Sequence, residues 1–200
     1  MKTDKIIRDT KAALKRVDWD MKHVPKVCSA GCHYCCHQCV TLFEVEGFVL
    51  ARHLETEISA EQRERFRQRA ENWLENFDEV TRDADEANPI AEDELLAAEK
   101  AMNQRRIPCA FLEDGHCQVY EARPSSCRAH VVEDNREACK DISRTTSDAA
   151  MVVKVKHIKL FAQIGNRATI RPMMYAVAES LGIQRRLKPL ALPVRATKRA

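Results

Sequence analysis

Five cysteines fall within the stretch Cys28-Ser-Ala-Gly-Cys32-His-Tyr-Cys35-Cys36-His-Gln-Cys39, and no other feature of this chain constrains its fold as strongly. Thiols spaced by two or three residues in a loop can turn toward one centre without straining the backbone. Soft sulfur donors select zinc, iron–sulfur clusters or Cu(I) over hard cations. Gly31 suits the tight turn that such a loop needs. Adjacent Cys35 and Cys36 point in different directions in most backbone conformations. They can therefore serve different metals, or only one of them can bind.

One block rarely closes a metal site alone. A second group, Cys109, Cys117 and Cys127 with Cys139 beyond it, follows after about seventy residues. The cysteines number 9, and an odd count fits poorly with a fully paired disulfide set. Residues 1–26 carry charge throughout and contain no apolar h-region, so no secretory signal is expected. No run approaches the roughly 18 apolar residues of a membrane span. The expectation is a cytoplasmic protein with reduced thiols, a metal ion as its partner and no membrane association. The net charge of +3 is too small to point to nucleic acid. Charge is unevenly spread: residues 55–94 are strongly acidic, and residues 183–200 hold Arg and Lys but no acid. The basic tail reads as a solvated end, with contact to an acidic partner as the alternative.

Periodicity supplies the frame. Ile6, Ile7, Leu14, Val17 and Met21 recur near helical spacing over 4–21, and Pro25 ends that helix. Thr41 and Glu44 have the form of a capping box opening a second helix, and Ser59 with Gln62 open a third. The third helix places Phe66, Ala70, Trp73, Phe77 and Val80 on one core face. Asn88-Pro89 breaks the chain, and a helix resumes over 91–105. The apolar runs flanking Asp114-Gly115 read as a β-hairpin carrying Cys109 and Cys117. Residues 147–164 fit both periods, and their length favours helix. Pro172 to Leu181, with Gly182 just beyond, reads as a final helix.

The fold class expected is mainly α, a helical bundle with a small β-hairpin and a Cys-rich metal-binding loop. Its organisation is an N-terminal helix over 1–27, a cysteine-cluster metal-binding domain over 28–139 with a helical insert at 41–105, and a C-terminal helical extension over 140–200 ending in the basic tail. The candidate metal ligands are Cys28, Cys32, Cys35, Cys36, Cys109, Cys117, Cys127 and Cys139. Cys39 reads as a bystander, since an isolated cysteine is often a buried small hydrophobe. His33, His37, His116 and His130 sit beside cysteines, as ligands or as polar lining. Arg123 and Arg128 either balance an anionic thiolate cluster or lie on the surface.

These residues resemble the YkgJ-type cysteine-cluster family, described as a zinc- or iron-chelating domain with a CxxCxxCC signature. The first match is Cys28-x3-Cys32-x2-Cys35-Cys36, followed by Val40 and a helix containing Glu46. The second is Pro108-Cys109-Ala-Phe-Leu-x2-Gly115-x-Cys117-x-Val-Tyr120-x2-Arg123-Pro124-x2-Cys127-Arg128. The first gap here is three residues, where the family's nominal pattern has two. The resemblance covers residues 28–139 and implies chelation of zinc or iron by the matched cysteines. Some relatives look like an iron–sulfur-dependent lysine methylase that acts on flagellin, a resemblance confined to the cysteine domain.

Three functional classes stay open. One is a metal-binding protein with no assignable catalysis. Another is an iron–sulfur protein with methylase-like or redox activity. The third is an interaction or metal-delivery protein whose acidic middle and basic tail serve a partner surface. Cys28-x3-Cys32-x2-Cys35 also has the spacing that radical S-adenosylmethionine enzymes use, but the strand–helix alternation of their barrel is absent. There is no Gly-rich phosphate loop, nucleophile elbow or HExxH helix. A thiol–disulfide role for Cys32-x2-Cys35 lacks its βαβ setting.

Overall fold

The computed structural model describes residues 2–28, 31–133, 147–165 and 169–191. Cys139 and the end of the basic tail lie outside the described residues. The fold is mainly helical: α1 (Lys2–Met21), α2 (Glu44–Thr56), α3 (Ala60–Val80), α4 (Glu92–Arg105), α5 (Ser125–Arg128), α6 (Asp148–Gly165) and α7 (Met173–Val177). Among the described residues, four short strands, β1 (Thr41–Phe43), β2 (Leu112–Glu113), β3 (His116–Cys117) and β4 (Ile170–Pro172), pair as β1 with β4 and β2 with β3. No described helix is long and apolar enough to cross a membrane.

Helix α2 is the central beam because it is apolar on two sides. Val45 and Val49 face one buried cluster with Val17 and Met21 of α1 and Phe161 of α6. Leu50 and Leu54 face the other, with Phe66, Trp73 and Phe77 of α3, Met102 of α4 and Val177 of α7. The expected stripe on α3 is real, and Trp73 stacks on Phe77 at 5.3 Å. Its cap is also as expected: the Gln62 N–H donates to the Ser59 hydroxyl at 3.2 Å, and the Ser59 N–H donates to Gln62 Oε1 at 3.3 Å. The ambiguous segment 147–164 is helical, with Phe161 of α6 stacked on Phe43 at 5.2 Å.

Two local expectations need correction. Thr41 does not cap α2. Thr41–Phe43 instead forms β1, paired antiparallel with β4 so that Leu42 opposes Arg171. Helix α2 therefore starts at Glu44, and Glu46 accepts the Phe43 N–H at 2.9 Å. A three-residue strand whose partner is far along the chain leaves no periodic trace in sequence. The final helix is shorter than Pro172–Leu181. Ser180 donates its hydroxyl to the Val177 carbonyl at 2.9 Å, in competition with the main chain. The stop falls where expected: Gly182 has φ 73°, and the Ile183 N–H closes back on the Ala178 carbonyl at 3.0 Å.

The start of the basic tail is not simply solvated. Arg185 pairs with Asp78 at the end of α3, and Lys188 donates to the Asp78 and Thr81 carbonyls at 2.9 and 3.1 Å. Part of the charge asymmetry is therefore neutralised within the chain.

Glu46 is the polar knot of the core. It is 1% exposed, and its carboxylate accepts the Phe43 N–H and, at 2.7 Å, the Ser125 N–H that opens α5. Burial raises its pKa against the opposing effect of these donors and of Arg128. Removing the carboxylate leaves two main-chain donors without acceptors. Glu46→Ala should therefore lose about 2–4 kcal/mol in chemical denaturation. Glu46→Gln retains one acceptor oxygen and should lose about half as much or less.

Candidate metal centre

The first cysteine block ends in one 3₁₀ turn, Tyr34–His37. Gly31 precedes it with φ 78°, the left-handed turn expected there. The turn directs the Cys36 carbonyl outward, where it accepts the Cys109 N–H at 2.7 Å. That bond joins the two blocks. Downstream, Asp114 and Gly115 have φ 49° and 75°, the paired positive values of a type I′ turn. The turn folds β3 back on β2 so that Cys117 opposes Leu112. Pro124 then starts α5, which carries Cys127.

All eight described cysteines are free thiols. Those brought together are Cys35, Cys36, Cys109, Cys117 and Cys127. The Cys35 thiol is hydrogen-bonded to Cys36, and this bond, then burial, raises the Cys35 pKa. Burial is the leading cause of the raised pKa values of Cys109, Cys117 and Cys127. Cys109 also feels the charges of Cys127, Cys117 and Cys35, and Cys127 those of Cys35 and Cys117. Arg123 opposes this. It lies near Cys35, Cys117 and Cys127 and favours their thiolates. It is positioned by stacking on Tyr120, 3.8 Å from the ring centroid. Its Nε is buried and without a hydrogen-bond partner.

Arg128, its companion in the motif, does something else. Its guanidinium pairs with Asp18 of α1 and donates to the Arg123 and Glu121 carbonyls at 2.7 and 2.6 Å. Arg128 thus ties α5 to α1, and Arg123 alone of the two faces the thiols.

The remaining candidates are dispersed. Cys28 packs against the cluster between α1 and α6. Cys32 is half-buried just after Gly31. Neither is among the leading influences on the four deeper thiols. Cys39 packs on the larger core, and its N–H donates to Asn103 Oδ1 at 2.6 Å. His33 lies against the hairpin turn, where a Cβ on Gly115 would meet its Nδ1 at 3.4 Å, and its ring is 5.8 Å from that of His37. The buried Nδ1 of His37 has no partner. His116 is exposed and bonds the Asp114 carbonyl at 2.8 Å. Burial pushes His130 down to about 4.

Among the described residues, no group of three or more Cys, His, Asp or Glu side chains is already arranged to hold a metal ion. The thiols are neighbours rather than a finished coordination shell. Their chemistry nonetheless suits a soft cation. Half-buried thiols whose ionisation burial opposes would give up their protons to an ion that supplies positive charge.

The periodicity of α6 held one unread signal. Met151, Lys154, Ile158 and Phe161 share a helical face, so a lysine interrupts an apolar stripe. That lysine lies close enough to Cys127 for their charges to interact. Comparison with protein-family models, with curated proteins and with solved structures returned no match.

Near Cys39 sits Glu99, and no ion pair joins it to another described residue. Burial pushes Glu99 up to about 7. Its folded pKa exceeds the unfolded one, so the protonated form favours folding. That stability is present below the ordinary carboxylate range and is lost as pH rises through about 7. Part of the residue meets solvent, which reduces the effect to about 1–2 kcal/mol. Glu99→Gln should match the native protein in melting at pH 5 and exceed it at pH 8.

Proposed function

We propose that this protein binds zinc or iron through cysteine thiolates, with Cys35, Cys109, Cys117 and Cys127 as the principal ligands. The observation that carries this reading is four half-buried free thiols from both blocks in one neighbourhood, with Arg123 as the cation near three of them. Cys36 lies within reach through its bond to Cys35. Cys28, Cys32 and Cys139 are further candidate ligands by their place in the sequence, Cys139 lying outside the described residues. A bound ion supplies positive charge and soft Lewis acidity there. The protein's part is to gather sulfur donors, exclude water and set the local charge through Arg123.

The YkgJ-type resemblance of both motifs supports the same chemistry. Under this reading the metal contributes to folding, because closing the shell stabilises the 3₁₀ turn, the hairpin and α5 together. An iron–sulfur protein with methylase-like or redox activity is the alternative. It shares the thiols and differs in what they hold.

Anaerobic purification followed by metal analysis and an optical spectrum tests the proposal. Zinc gives a colourless protein with stoichiometric metal, whereas an iron–thiolate centre absorbs in the visible. Cys109→Ser and Cys127→Ser should each lose most of the metal and lower the melting temperature, while Cys39→Ser keeps it. A metal-free native protein, or equal loss from Cys39→Ser, would defeat the reading.

A further inference from the structure

A cavity of about 240 Å³ lies between α1, β1, α5 and α6. Its walls are mostly apolar, with Val17, Phe43, Ile158 and Phe161 among them. Met151 and Val155 of α6 are 43% and 59% exposed at its rim, so the cavity communicates with solvent.

The polar groups in these walls are nearly all committed. Glu46 accepts two main-chain N–H groups. The Ser126 hydroxyl donates to the Thr41 carbonyl at 2.6 Å. His157 is 4% exposed and donates its Nε2–H to Asp20 at 2.7 Å, and Asp20 also accepts Lys156 at 2.8 Å. Lys154 is different. It is half-buried in the apolar stripe of α6, and no hydrogen bond or ion pair joins it to another described residue. Burial lowers its pKa, which is the electrostatic cost of a cation in an apolar wall.

We propose that this cavity binds a small aryl or alkyl carboxylate, its apolar body between Phe43, Ile158 and Phe161 and its carboxylate on Lys154. The anion would pair with this cation, and the hydrocarbon would cover the exposed side chains of α6. Size sets the class. An engineered cavity of about 150 Å³ admits benzene. A cavity of 240 Å³ therefore suits a ring with a short chain, about ten heavy atoms. No proposed metal ligand lines this cavity, although Lys154 also lies near Cys127.

Calorimetric titration of the full chain with 3-phenylpropionate, 3-phenylpropionamide and 3-phenylpropylamine tests it. A ligand of this size should bind in roughly the millimolar range. The acid should bind about tenfold or more tightly than the amide, and the amine more weakly still. Lys154→Met keeps the apolar stem and should bind acid and amide alike. Methyl NMR shifts caused by the acid should centre on Val17, Val155 and Ile158. Equal binding of acid and amide by the native protein overturns the proposal. So does the absence of binding, or a shift pattern centred elsewhere. The ligand series on the native protein decides the matter even if Lys154→Met fails to fold.

Discussion

The architecture depends on one close approach, the Cys109 N–H on the Cys36 carbonyl at 2.7 Å. A main-chain bond of this length fixes the two cysteine blocks within a few ångströms of each other. Everything between them must then leave and return. Helices α2, α3 and α4 form that excursion, and their packed faces make the return reproducible. The thiols are thus held by a helical frame rather than by their own loop.

Buried charge is handled in three ways. Glu46 is satisfied by main-chain donors from two elements, so it acts as a joint between β1–α2 and α5. Arg128 is satisfied by Asp18 and two carbonyls, and joins α5 to α1. Arg123 is left with an unpartnered Nε beside thiols whose ionisation burial opposes. The first two arrangements hold the fold together. The third concentrates positive field where the thiols gather. Helix α5, only one turn long, takes part in all three because Ser125, Cys127 and Arg128 lie on it.

Much of this was legible in the chain. The stripe on α3 follows from 3.6-residue spacing, and the Ser59–Gln62 cap follows from local hydrogen-bonding chemistry. The hairpin follows from Asp114-Gly115, since a two-residue turn with both φ positive favours that pair. The reading of Cys39 as a small hydrophobe agrees with its packing on the larger core. The β1–β4 ribbon was not legible, because its pairing energy is non-local. Nor was the division of labour between Arg123 and Arg128, which depends on Tyr120 and Asp18 standing where they do.

By itself, the sequence determined the inventory: which thiols exist, which segments are helical and where the chain must turn. These depend on periodicity, caps and turn residues, all properties of a few neighbouring positions. The tertiary structure alone decided which thiols share a neighbourhood. Cys28 stands in the same dense block as Cys35, yet it packs on the α1–α6 core, while Cys109, Cys117 and Cys127 join Cys35 from far along the chain. The reason is that the core faces of α2 and α3 fix where the chain returns, and spacing between cysteines carries no record of those faces.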